Sequence, residues 1–412
     1  MKFDVVVIGG GFSGVAAAIS AAREGLKVMI AEKSNCFGGA AVNCLVNPFM
    51  PFKSDDKLMS GGIFTEILEE LKKLNGLDNY NSSFDEEKLK LVLNRIILRE
   101  NVFPLFHAVL IGAKTEKNKI ISVTLASKTQ KIEVEAEYFI DCTGDGNLAV
   151  MAGCDYTLGR KSDNLCQPMT LCFRVGGVDK NMFRSEISEL NEKYKQAKKE
   201  NKIKNPREDI LVFDTLHEGI LHFNTTRVIK LNPTDVFDVT KAEIEAREQV
   251  FEIFDFIKSN ARSFKNADII STAAEIGVRE SRMITGMHIL SEEELLNCTK
   301  FEDGIAACNY DIDIHNPEGT GTSHHFFAPG EYYTIPYRCL CPTKIGNLLV
   351  AGRCISSTHE AQASYRIMPT ICAIGQAAGV GAAVSCKQNC DVADADIKTI
   401  RKILADNKAV ID

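Results

Sequence analysis

The residues with most chemical potential stand at the start of the chain, Gly9-Gly10-Gly11-Phe12-Ser13-Gly14. Backbone amides freed at a glycine turn, where a helix begins, can hold a pair of phosphates. Gly9 permits the tight turn, Gly11 lets backbone approach phosphate oxygen, and Gly14 lets helix and strand pack closely. Phe12 and Ser13 complete the turn. Glu32 follows at about the 20-residue spacing that sets a carboxylate on ribose hydroxyls and against a 2′-phosphate, with Lys33 beside it. The setting strengthens the motif. Residues 3–8 are an apolar, β-branched run that reads as a strand buried on both faces. Residues 15–24 read as a helix of small residues stopped by Gly25, and 27–31 as a second buried strand. An adenine dinucleotide is the expected ligand.

Three later glycine turns follow strand-like runs: Gly38-Gly39-Ala40, Thr143-Gly144-Asp145, and Gly352-Arg353. Each would bring backbone to a ligand at the carboxyl edge of a parallel sheet. A second set of candidates comes later in the chain. On a strand read over 273–285, Arg279 shares a face with Ser281, and Glu280 shares the other with Arg282. One arginine could clamp a carboxylate; the equal alternative is an ion-pair network between domains. His315, His324, His325 and His359 cluster in sequence. His324-His325-Phe326-Phe327 reads as a lid or substrate loop, with a metal site or a solvent-facing pair as alternatives. No acid or cysteine stands at a ligand spacing to them, so no metal is expected. His359 and Arg366 are candidates for contact with substrate or cofactor. Cys36, Cys44 and Cys354 are either small buried hydrophobes or a redox thiol.

The chain that positions these residues has 412 of them, more than one core usually organises, so two domains are expected. It is 45% apolar and 25% charged, as in ordinary globular proteins. A net charge of −7 gives no electrostatic case for nucleic acid or an anionic membrane. The first strand starts at residue 3, which reads as leaving no room for a signal peptide. Fourteen cysteines without regular spacing suit a reduced, cytoplasmic setting. Residues 368–384 are apolar but short for a membrane span and hold Gln376, so they read as a buried helix. Its glycines and alanines would let it lie close to a sheet or a flat ring. Helices are expected at 63–74, 85–99, 179–200, 238–261 and 394–408, and an antiparallel meander between 102 and 134. Asp85 reads as a helix cap, and Ser291 with Glu294 as a capping box.

Four motifs in this order resemble the FAD-dependent oxidoreductases of the glutathione-reductase-type fold: the first glycine turn with Glu32, Gly38-Gly39, Thr143-Gly144-Asp145, and Val350-Ala351-Gly352 with its helix. The segments 276–282, 310–316 and 352–369 are similar to the branch that includes the flavin subunit of heterodisulfide reductase. The resemblance implies an α/β fold, a Rossmann-type parallel-sheet FAD-binding domain with a meander, built from residues 1–155 and 333–412. An inserted α+β substrate domain would occupy 156–332. It further implies FAD, with adenine beside Ala108 and Val109, and the isoalloxazine near the Gly38–Ala41 loop, Gly38, Gly39 and Ala40 above all, and the helix start at Pro369-Thr370. Arg353 stands where many relatives carry an acid for the ribityl chain, and Asp145 is the candidate replacement. There is no second dinucleotide turn, no Cys-x-x-Cys and no four-cysteine run for an iron–sulfur cluster. The expected activity passes hydride or electrons between FAD and a small, anionic organic substrate. The alternatives are a flavin subunit serving a protein redox partner, and a non-redox flavin binder.

Overall fold

A computed structural model describes residues 1–412. Its centre is a parallel sheet in the order Phe103–Leu105, Val28–Ala31, Lys2–Ile8, Gln130–Asp141 and Leu348–Val350. Val7 lies between Ile30 and Ile140, and Leu349 continues the row beyond Ile140. Both ends of the chain therefore build one sheet. Side chains alternate between two buried layers. Val5, Val7, Ile140 and Leu349 face a layer of helices, whereas Val6, Ile8, Phe139 and Val350 face the meander residues Val123, Leu125 and Val134.

Two strand expectations change. Residues 102–103 were expected in the meander, but Phe103–Leu105 pairs in parallel with Val28–Ala31. Residues 131–134 and 138–140 read as separate strands, yet Gln130–Asp141 is continuous. Its first half pairs antiparallel with Lys119–Ser127, and its last residues pair parallel with Leu348–Val350. The change of pattern from alternating glutamates to a wholly apolar run marks this change of partner and of burial.

The helix Met368–Gln388 packs chiefly against the helix Phe12–Arg23 and also touches the parallel sheet, where the Tyr138 hydroxyl donates to the Ser385 carbonyl at 3.1 Å. A Cβ on Gly375 would come within 2.1 Å of the Ser13 carbonyl oxygen, and one on Gly379 within 2.2 Å of the Ala17 oxygen. Ser20 Oγ donates to the Gln376 carbonyl at 2.9 Å across this seam. The helix is long and apolar enough to cross a membrane, but 89% of its apolar window is buried inside the protein.

Local signals set the other helices. Asp85 accepts from the Glu87 and Lys88 amides and opens Glu86–Arg99, a cap contributing about 1 kcal/mol. Asp179 opens Lys180–Lys199 in the same way. The Ser291–Glu294 box forms, on a helix of only Glu292–Leu296. The final helix begins at Ile397 behind an Asp396 cap, later than expected.

A second core packs Lys180–Lys199 and Val236–Asn260 on a four-stranded antiparallel sheet. Its order is Val212–Asp214, Leu221–Phe223, Phe173–Gly176 and Asp268–Thr272. Leu290, Ile305 and Ile312, from the later part of 156–332, pack in the large core beside the parallel sheet. The strand expected over 273–285 is reduced to Arg282–Ile284, paired with Tyr156–Leu158. Before it, Gly277 bridges to Thr170 and Glu280 turns inward, so the alternation of Arg279 to Arg282 is lost.

Candidate active site

The first glycine turn leaves an anion site. The helix Phe12–Arg23 has no side-chain cap and no acid in its first turn, and its bonding starts with Val15 N–H to the Gly11 carbonyl. The amides of Phe12, Ser13 and Gly14 are left for a ligand. A Cβ on Gly14 would meet the Gly9 oxygen at 1.8 Å, so that glycine serves helix–strand packing. A Cβ on Gly11 would meet nothing nearer than Gly39 Cα at 3.9 Å, which leaves the space above it open. Glu32 is buried where the second strand ends. Its Oε2 accepts from Gly10 N–H at 2.6 Å and its Oε1 from Ser34 N–H at 2.8 Å. Each carboxylate oxygen keeps a lone pair for a ribose hydroxyl. Lys33 is committed elsewhere, 2.7 Å from Glu275. The Ala108 amide donates to the Glu32 carbonyl, and Val109 is half exposed at the start of the meander.

The second and third glycine turns converge on this edge. Gly38 N–H donates to the Gly10 carbonyl at 2.9 Å, and the short helix Ala40–Asn43 follows Gly39. Asp141, which the sequence reading passed over, organises the Thr143 turn from full burial. Its Oδ1 accepts from the Thr143 amide and hydroxyl, and its Oδ2 from the Ala149 amide. Burial pushes its carboxyl up against those bonds. Asp145 holds Arg353 at 2.6 Å and accepts from Ser281 Oγ at 2.6 Å. Burial would lower the Arg353 guanidinium, but Asp145 outweighs it and raises it. The arginine that replaces the expected acid at Gly352-Arg353 is thus paired with the acid of the preceding turn. The helix Met368–Gln388 starts with Pro369 in its first turn and no side-chain cap. The Met368 and Thr370 amides and the positive helix end are therefore free for an electron-rich ring.

Of the later candidates, three gather and one does not. His359 Nδ1 is 2.7 Å from Glu280 Oε1, and Glu280 Oε2 accepts from the Gln167 amide at 2.8 Å. Arg366, just before the Pro369 helix, reaches Gln167 Oε1 and the Asp313 carbonyl and carboxylate at 3.2–3.4 Å. Arg279 Nη1 donates to the Pro168 carbonyl at 2.8 Å and to Thr170 Oγ1 at 2.5 Å. Arg282 turns away, to the Asp145 carbonyl and Asn147, over the ring of Tyr156. Gln167 links the group by also donating to Gln362 at 3.3 Å. Gln167 carries no spacing signal; Gln362 stands one helical turn after His359 and could have been found from that spacing. His324 and His325 lie on the exposed hairpin strand Thr322–His325, with His324 Nδ1 2.5 Å from Asp311.

Burial by itself would raise the Asp313 carboxyl, but the His315 ring at 3.3 Å and the Arg366 and Arg279 cations hold it below the usual range. His315 is lowered to about 3 by burial and then by Arg279. Burial pushes the Cys44 thiol up to about 12 and raises Cys36 and Cys354, which disfavours a thiolate at any of them.

A family described as FAD dependent oxidoreductase matches residues 4–404. The chain belongs to that family. Its cofactor is FAD, and the open space over Gly11, the free amides at both helix starts and the remaining lone pairs of Glu32 fit it. Among solved structures that the chain resembles, one reaches a TM-score of 0.50 and speaks to the fold alone. A flavin-dependent brominase triple mutant superposes with a TM-score of 0.50 at 12% identity, over 98% of this chain and 84% of that one. A p-nitrophenol 4-monooxygenase from Pseudomonas putida DLL-E4 gives 0.49 at 10%, over 98% and 84%. A geranylgeranyl bacteriochlorophyll reductase-like protein from Thermoplasma acidophilum gives 0.48 at 14%, over 99% and 83%. No curated protein matches the chain.

Proposed function

We propose that this FAD-dependent oxidoreductase acts on a small organic molecule held between the parallel sheet and residues 156–332, the segment we assign to substrate recognition. The carrying observation is the polar group of Asp313, Glu280 and His359, all buried, with the partly buried Arg279 and Arg366, of which Arg366 stands just before the helix start at Pro369. Bound FAD supplies a two-electron acceptor or donor for a carbon–hydrogen bond. The chain's own residues bind and orient. Arg279 and Arg366 supply cationic donors from two different segments, and His359, steadied through Nδ1 by Glu280, leaves Nε2 for a proton. The segments 276–282, 310–316 and 352–369 support grouping the chain with the heterodisulfide-reductase flavin subunit branch of the glutathione-reductase-type fold. Fourteen unpaired cysteines support a cytoplasmic place of work.

The test is anaerobic titration of the FAD-loaded protein with panels of carboxylic acids, hydroxy acids and amines, following flavin bleaching. Bleaching by a small molecule, slowed by Arg366→Ala, supports the reading. Reduction by a protein donor alone would replace it with electron transfer between proteins.

A further inference from the structure

The four-stranded sheet has two unlike faces, and on the second Arg174 and His222 are buried. Phe173, Val175, Leu221 and Phe223 point into the second core. The opposite face carries Arg174, directly across from His222, which is directly across from Phe213. Asn224 follows the strand Leu221–Phe223 directly.

The groups on and beside this face are unequally satisfied. Arg174 forms a two-point buried pair with Glu86. His222 is 1% exposed, and neither ring nitrogen has a partner. Arg279 reaches Asn224 Oδ1 at 3.4 Å, yet all its acceptors are neutral: Pro168, Thr170 and Asn224. Arg207 is 8% exposed with Nε unbonded, and the carboxylates of Glu208 and Asp209 come no closer than 3.7 and 3.8 Å. Glu208 is already bonded to Arg227, and Asp313 to His315 and Arg366.

A buried cation without a counter-charge is strongly disfavoured, and so is a buried imidazole with both nitrogens unpaired. Burial, then Arg366 and Arg207, lowers the Arg279 guanidinium to about 9. Arg174 has its anion in Glu86, Arg207 reaches Glu208 and Asp209 only at 3.7–3.8 Å, and Arg279 forms no ion pair, feeling Asp313 only at a distance. We propose that this face is the carboxylate subsite of the substrate, with Arg279 and Arg207 binding the anion and His222 hydrogen-bonding a neighbouring polar group of the same molecule. This deepens the oxidoreductase reading and rests on it for the word substrate. Burial and Arg174 lower the His222 ring to about 3, so it meets the ligand as a neutral imidazole, one donor and one acceptor.

The experiment uses FAD-loaded protein with benzoate and L-malate as probes and benzamide as the uncharged control. Binding is read from the flavin difference spectrum and from the melting temperature. The expected result is a response to a carboxylate but not to benzamide, weakened at least 10-fold in Arg279→Gln and in Arg207→Gln. Arg279→Gln, relieved of an unmatched charge, is expected to melt no lower than wild type; Arg279→Lys keeps the charge and covers the case of a misfolded variant. Silence of the wild type to both carboxylates, or equal binding by all three variants, overturns the subsite. A carboxylate that binds through Arg279 while no small molecule bleaches the flavin leaves an anion site standing and removes the small-molecule substrate reading. Bleaching by an uncharged substrate, unchanged in Arg279→Gln, does the reverse.

Discussion

His359 Nδ1 stands 2.7 Å from Glu280 Oε1, deep in the protein, and the other carboxylate oxygen of Glu280 takes the Gln167 amide. The two residues come from separate segments, and their union fastens the helix His359–Tyr365 to the segment leading out of the second core. Removing one side of a buried pair strands the other. Glu280→Ala, which leaves His359 Nδ1 and the Gln167 amide without their partner, is therefore expected to cost about 1–3 kcal/mol in urea unfolding. Glu280→Gln, which keeps shape and one acceptor, should cost less and still bind FAD. An alanine variant as stable as wild type would show that the pair does not hold the structure.

Two neighbouring glycines should separate stability from cofactor binding. Gly11 has φ −69°, a value alanine adopts, and open space where its Cβ would go. Gly11→Ala is expected to fold as well as wild type, or about 0.4–1 kcal/mol better, while FAD affinity falls because the methyl occupies the phosphate space. Gly14→Ala should instead destabilise the fold itself, its Cβ being aimed at the Gly9 oxygen. Thermal melting of the apoproteins and fluorescence titration with FAD read the two effects apart.

Cys44 tests the thiol question. With its thiol pushed up to about 12 by burial, iodoacetamide should react with native protein far more slowly than with unfolded protein across pH 7–10. Mass spectrometry after timed alkylation reads this. Rapid modification at pH 7 with loss of flavin reduction would return Cys44 to the list of redox groups.

Acid sensitivity follows from two buried imidazoles. His222 and His315 are both lowered to about 3 in the folded chain, by burial first. Unfolded, each takes up its proton near pH 6.5. The unfolded chain then binds more protons between these limits, so stability is fully present above pH 6.5 and falls as pH drops toward 3. The slope is at most about 1.4 kcal/mol per pH unit for each histidine. His222→Gln should make the slope shallower, by urea unfolding at pH 7, 6 and 5; an unchanged slope would remove His222 from the account.

Much of this was legible because it is local. The Gly9–Gly14 turn, the cap at Asp85 and the Ser291–Glu294 box are written within a few residues of what they do, and Glu32 stands at a set spacing from its turn. Hidden from sequence were relationships between distant segments. Nothing near Glu280 names His359, and nothing near Arg353 names Asp145. The glycines of Met368–Gln388 announced a close approach correctly but could not name Phe12–Arg23 as the surface approached. Asp141 looked like the last residue of a strand because its three donors come from the turn and helix that follow. In Gln130–Asp141 the shift from alternating to continuous apolar residues was visible, but was read as a break in the chain's path where it marks a change of neighbour.

The place of Leu348–Val350 beside Gln130–Asp141 sets an order of events during synthesis. A ribosome releasing this chain from the N-terminus delivers the phosphate turn early. The strand that completes the sheet, and the helix that covers Ser13 and Ala17, emerge only after some three hundred further residues. Until then Gln130–Asp141 has one unpaired flank and the first helix a bare face of small residues, both open to mispairing. A chain cut short before Leu348 would carry the recognisable glycine signature without the strand and the helix that pack beside it.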